Sequence, residues 1–332
     1  MQRLPMIDMH AHFYGGGLVE VLRARDARPC LRNENDLVQM LAMNGAFPFE
    51  EAHWKPETIL AQMDQAGLER RMLTFPGALC LDALPVDEIG AAIVGFNSFM
   101  SDLQARTNGR LMGLAGLPLA EPELAARELL RARQELGLAG AILPSDYFNT
   151  IRDAQTLLPV LEAANATRAL LMLHPGPMAG HVPAQVAEEF PQYRTSAVAL
   201  QAQTSQVVLT LLLSDLLDCF ADIRFQIINL GGTMPFIFER MESIARHRTP
   251  ESPFPTNRLR RLWFDTASMG PRALECAVAV YGADRIMLGT DWPIFRDFPH
   301  ETTLDQARLP NEDLAMISHG TARRLLGDLG LA

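Results

Sequence analysis

The chain has 332 residues, 48% hydrophobic and 20% charged, with a formal charge of −10. That hydrophobic fraction excludes a mainly disordered chain, and the acidic balance disfavours an electrostatic grip on nucleic acid or anionic lipid. No run of about 18 apolar residues stands out, and MQRLPMIDMHAH lacks the apolar stretch and small-residue cleavage site of a signal peptide.

Short apolar runs alternate with helical patterns along the whole chain. The expected strands are Leu4–Met9, Arg71–Phe75, Leu111–Pro118, Gly140–Pro144, Ala169–Leu173, Arg224–Asn229, Leu262–Thr266 and Arg285–Gly289. Between them the expected helices are Pro56–Ala66, Ile89–Thr107, Glu121–Leu136, Leu157–Ala166, Thr204–Cys219, Pro235–Ile244 and Pro271–Tyr281. Strands that are nearly all followed by helices predict an α/β fold, a single (β/α)8 TIM barrel over residues 1–332. An open doubly wound sheet is disfavoured because no G-x-G-x-x-G follows the first strand. An insertion after strand 1, about residues 13–54, has no clear helix–strand pair and is expected to cover the mouth of the barrel. The stretch Pro175–Gln203, rich in Pro, Gly and Gln, is a second departure from the repeat.

His10-Ala11-His12 ends the first strand. Side chains alternate along a strand, so the two imidazoles point the same way and form half of a metal site. His174 follows ALLML at the end of the fifth strand, and Asp291 follows IMLGT at the end of the eighth. If the barrel forms, all four face one pocket at the C-terminal ends of the strands. Three imidazoles and one carboxylate suit one divalent ion, zinc first and manganese second. A second metal would need a bridging Lys, Glu or Cys on the fourth strand, and GAILP offers none. The only lysine, Lys55, lies in the loop-like HWKPET, which disfavours lysine chemistry. No G-x-S-x-G elbow is present. The cysteines Cys30, Cys80, Cys219 and Cys276 show no C-x-x-C spacing, as expected of reduced thiols in the cytoplasm.

IDMHAHF, LHPG, LGGTMPFIFERM, GTDWP and HGTARRLLG together resemble the amidohydrolase superfamily. Within it the chain is most similar to the aminocarboxymuconate semialdehyde decarboxylase family, which includes resorcylate-type decarboxylases. The resemblance runs over nearly the whole chain, through WKPETILAQMDQAG and ERMESIARHR. It implies a metal-dependent TIM barrel, a homodimer, and ligand roles for His10, His12, His174 and Asp291. It also implies carbon–carbon cleavage that releases carbon dioxide from a small aromatic or muconate-like carboxylic acid.

Two departures bear on that chemistry. The family pattern ends the sixth strand in a histidine that acts as general base, whereas this chain reads IINLGG and has Asn229. An amide hydrogen-bonds but takes no proton near neutral pH. Asp291 could serve as both ligand and proton shuttle, His181 could swing in from its loop, or the ancestral chemistry could be gone, ranked in that order. The second departure is Phe47, which stands where the family carries an arginine for a substrate carboxylate. Arg240 and Arg248 match positions that the family uses near its substrate or subunit interface. Trp292 is expected on the pocket wall and Trp54 in a lid. Asp265 ends the seventh strand as a cap or a partner to a ligand. Gly231 and Gly232 are read as letting the chain turn. His53, His247, His300 and His319 lack strand-end context and are read as bystanders. A decarboxylase is therefore expected first. A hydrolase of a lactone, amide or ring-cleavage product comes second, since it leans harder on the missing base. A non-catalytic relative that binds metal or ligand is third.

Overall fold

The computed structural model describes residues 5–34, 37–43, 45–181, 186–267, 269–296 and 300–331. Among the described residues, eight parallel strands form two sheets. The first runs β1 (Met6–His12), β5 (Leu68–Thr74), β6 (Leu111–Leu114), and the second runs β7 (Gly140–Pro144), β8 (Leu170–His174), β9 (Arg224–Ile227), β10 (Leu262–Asp265), β11 (Ile286–Met287). Both seams carry backbone hydrogen bonds. Ala115 N–H donates to Gly140 O (2.9 Å) and Ile142 N–H to Ala115 O (3.2 Å); at the other seam Met9 N–H donates to Leu288 O (2.8 Å) and His12 N–H to Trp292 O (2.7 Å). The strands thus follow one another around a ring. β1, β6, β7 and β8 are buried along their full length, as parallel strands covered on both faces must be.

The eight expected strands all overlap observed ones. The insertion is more regular than expected: it holds a helix (Leu18–Ala24) and a three-stranded antiparallel sheet of β2 (Cys30–Glu34), β3 (Leu37–Ala42) and β4 (Gly45–Pro48). The second departure is also corrected. A continuous helical segment runs from Pro191 to Leu213, beginning well before Thr204, and its length and composition reach those of a membrane-spanning helix. It is not an unbroken apolar run, since Gln201, Gln203, Thr204, Ser205 and Gln206 interrupt it. Val207, Val208, Leu211 and Leu212 on this segment are buried in the hydrophobic core.

One irregularity re-aims the first strand. Asp8 pairs with Arg71 and Ala11 with Leu73, so β1 spends three residue steps against two on β5. A bulge of this kind breaks strict alternation and redirects the side chains beyond it. Asp8 accordingly does not join the histidines that follow it. Its carboxylate accepts from Arg71 Nε (2.7 Å), Thr290 Oγ1 (2.6 Å) and the backbone N–H groups of His10 and Thr290.

Candidate metal centre

His10, His12, His174 and Asp291 converge from β1, β8 and the turn after β11. One ligand atom from each lies within 4.8 Å of all the others. Bonds of about 2.0–2.2 Å to one ion separate its ligands by at most about 4.3 Å, so a small contraction completes the site. The imidazoles stand nearly perpendicular to one another, with centroids 4.8–5.4 Å apart.

Each ring has its Nδ1 side occupied. His10 Nδ1 meets Asp265 Oδ2 at 3.1 Å, His12 Nδ1 meets Thr74 Oγ1 at 2.9 Å, and His174 Nδ1 meets Pro175 O at 3.2 Å. That leaves three Nε2 atoms for the centre. Holding the far nitrogen orients a ligating imidazole and sets its tautomer. His12 Nε2 lies 3.0 Å and His10 Nε2 3.7 Å from Asp291 Oδ1. His10 Nε2 is buried without a hydrogen-bond partner among the described residues, which is costly in an apolar interior and fits a cation as the missing neighbour.

The charges fit the same assignment. Burial opposes a charge on His10, but Asp265, Asp291 and Asp8 together outweigh it and raise the imidazole to about 9. Burial and the neighbouring His12 and His10 hold His174 well below its ordinary value. Burial pushes Asp291 up, yet the hydrogen bond from His12 and the charges of His10, His12 and His174 bring it below the usual carboxylate range. The carboxylates around His10 thus favour positive charge at the centre, which a bound cation would supply.

Asp265 does more than end a strand. Its Oδ2 also accepts from Gln226 Nε2 (2.8 Å), and its Oδ1 from the N–H groups of Asn229 (3.2 Å) and Ala267 (3.1 Å). One carboxylate therefore ties His10 to the turn after β9. In that turn Asn229, Leu230, Gly231 and Gly232 all have positive φ, between 52° and 73°. Glycine adopts this region freely and asparagine tolerates it, but leucine is strained in it. A Cβ at Gly232 would also stand 2.1 Å from Gln201 O, so the glycines serve the turn. Asn229 is buried, and its Oδ1 has no partner among the described residues.

The remaining predicted residues lie apart from the cluster. His181 is exposed, and the carboxylate that feels its charge is Asp146. Arg240 and Arg248 are exposed on the helix Met234–Arg248. Trp292 is buried with Arg71 4.9 Å from its ring, and half-buried Trp54 has Lys55 Nζ 5.3 Å from its centroid. Phe47 stacks on His53, with centroids 5.8 Å apart. His53 is 95% buried, in contact with Tyr14. His247 is exposed, and the side chain of His300 lies outside the described residues.

Sequence reasoning also missed Asp82. Both carboxyl oxygens are buried without a hydrogen-bond partner among the described residues. Burial raises the group to about 7, only partly offset by the N–H groups of Asp82 and Ala83. The native state therefore binds more protons than the unfolded chain between about pH 4 and 7, and stability falls as pH rises through that window. Asp82→Asn is expected to remove this fall, gaining on the order of 3 kcal/mol at pH 8. Melting temperatures from pH 5 to 8 test it: parallel profiles for variant and wild type would refute a neutral Asp82.

Residues 7–327 match the family model described as Amidohydrolase. The chain belongs to this family. This amidohydrolase is 25% identical over 248 residues to a 2-amino-3-carboxymuconate-6-semialdehyde decarboxylase of Dictyostelium discoideum, spanning 72% of this chain and 67% of the relative. It is 25% identical over 279 residues to a gamma-resorcylate decarboxylase of Polaromonas, spanning 79% of this chain and 84% of that one. Among solved structures, a dihydroxybenzoic acid decarboxylase of Polaromonas, with bound manganese and the inhibitor 2-nitroresorcinol, superposes with a TM-score of 0.74. That match covers 98% of this chain and 97% of the other at 20% identity, and it shows the shared fold.

Proposed function

We propose that this amidohydrolase is a non-oxidative decarboxylase of a small aromatic or muconate-like carboxylic acid, working with one divalent cation. The observation that carries the reading is the convergence of His10, His12, His174 and Asp291 in a chain whose named relatives are decarboxylases. Held by His10, His12, His174 and Asp291, such a cation would supply Lewis acidity that draws electron density from the acid. Zinc is the ion that three imidazoles and one carboxylate favour, with manganese the alternative suggested by the Polaromonas structure.

The chain's own residues divide the remaining work. Asp265 and Thr74 keep the histidine rings aimed, and the partnerless Oδ1 of Asn229 accepts a hydrogen bond from a substrate hydroxyl or a water. Asp291 is the proton shuttle to carbon, a role that asks for no imidazole at position 229. A hydrolase would need a base to activate water, and Asn229 cannot be one. The protein is further expected to be a cytoplasmic homodimer. None of the four cysteines forms a disulfide, and Phe236, Tyr193 and Val198 leave apolar surface exposed on two helices.

The test is metal content by elemental analysis followed by carbon dioxide release from a panel of hydroxybenzoic acids that includes γ-resorcylate. Gas that disappears on chelation and returns with zinc or manganese is the expected result. Full metal occupancy with lactone or amide hydrolysis and no gas would overturn the reading in favour of a hydrolase.

A further inference from the structure

Asp8 and Arg71 form an ion pair with neither side chain exposed, Arg71 Nε standing 2.7 Å from Asp8 Oδ2. Burial works against the guanidinium charge, and Asp8 is the group that sustains it. Arg71 also donates from Nη1 to Gln62 Oε1 (2.8 Å) on the helix Pro56–Ala66. Two charges taken this far from water are costly, and an apolar pair of similar volume often stabilises a core as well or better. Stability alone does not account for the pair, and its other contacts point to a different task.

Those contacts converge on the backbone that carries three of the four ligands. Asp8 Oδ1 accepts from the N–H groups of His10 (3.1 Å) and Thr290 (3.0 Å), and Asp8 Oδ2 accepts from Thr290 Oγ1 (2.6 Å). Thr290 Oγ1 in turn accepts from Trp292 N–H at 3.2 Å, and the Trp292 ring lies 4.9 Å from the Arg71 guanidinium. The Trp292 carbonyl accepts from His12 N–H at 2.7 Å. Asp291 thus sits between two residues that the pair holds, Thr290 through Asp8 and Trp292 through Arg71. Its N–H donates to His10 O (2.8 Å), and its φ is 56°. A left-handed conformation at a residue other than glycine persists where the surroundings hold it.

We propose that Asp8 and Arg71 are positioning residues that set metal affinity, a buried clamp fixing His10, His12 and Asp291 in the arrangement that receives one cation. The inference rests on the metal centre and is independent of which acid is cleaved. Neither residue belongs to the ligand group itself. The pair acts through the backbone beside the ligands, so loosening it lets donor atoms now within 4.8 Å of one another drift apart while the fold persists. Supporting partners of this kind change metal affinity by about 10–100-fold.

Arg71→Met alone would strand the Asp8 carboxylate in the core and is expected to unfold early. The pair is therefore changed together, as Asp8→Asn with Arg71→Met, which removes both charges and keeps an amide oxygen for a backbone N–H. Thr290→Val, of the same shape, is made beside it and cuts the tie from Asp8 Oδ2 to the turn while leaving the ion pair intact. Zinc affinity is measured by competition with a chromophoric chelator, the melting temperature on metal-free protein, and the visible spectrum after cobalt substitution. The double variant is expected to melt, metal-free, within about 5 °C of wild type. It is expected to bind zinc about 10–100-fold more weakly, with an altered cobalt spectrum, and Thr290→Val to lose about tenfold. A pair that only stabilises the fold would lower the melting temperature and leave the zinc affinity of the folded protein alone. Affinity within about threefold of wild type in both variants therefore overturns the proposal. Should the double variant melt earlier than expected, Thr290→Val decides under the same threshold. A wild type that takes up neither zinc nor cobalt overturns the metal centre and the clamp with it, whereas tight wild-type binding shared by the variants refutes the clamp alone.

Discussion

His174→Ala is expected to purify as a folded chain holding less than about a tenth of the wild-type metal, with turnover down by at least about 1,000-fold. The argument starts from the count of donors. Four ligand atoms converge, and His174 is the only one contributed by the far side of the ring, from β8. Without it, the centre keeps two imidazoles and a carboxylate along one seam, which leaves a cation open on that side. The fold should survive, because the imidazole bonds only the adjacent Pro175 carbonyl and is held neutral by burial and by His12 and His10. Its loss removes no ion pair among the described residues. Elemental analysis beside a thermal melt makes the test, and full metal occupancy in the variant would remove His174 from the ligand set.

Asp291→Asn is the second large effect and separates two roles of one side chain. The amide is nearly the same size, and position 291 has φ 56°, a region that asparagine tolerates better than most residues. The variant should fold. Losing the charge leaves His12 Nε2 facing an amide in place of a carboxylate at 3.0 Å, so metal affinity should drop. If Asp291 is only a ligand, saturating the variant with zinc or manganese would restore turnover. The expected result is restored metal with turnover still about 100-fold or more below wild type, because an amide cannot deliver a proton to carbon. Recovery of full activity at saturating metal would assign the proton step to another group.

Much of this site was legible because it sits where a simple pattern ends. His10, His12, His174 and Asp291 each close or follow a short apolar run, and the parallel fold sends all such ends to one face. The insertion was illegible for the opposite reason. β2 reads CLRNE, and β3 and β4 show no clean alternation, so their pairing with each other was not visible in any one of them. The segment Pro191–Leu213 was cut short because Tyr193 and Val198 are exposed in its first turns, which breaks the one-sided periodicity that marks a packed helix.

The sequence by itself determined the alternation of strand and helix, the residue types at the strand ends, and the substitution of Asn229 for an imidazole. The tertiary structure alone decided which ring nitrogens face the centre and what holds them. His10 is aimed by Asp265, 255 positions away, and Asp8 is drawn off by Arg71 and by Thr290, 282 positions away. Local propensity acts over a few residues, whereas these bonds exist only once the first and last strands of the ring lie side by side.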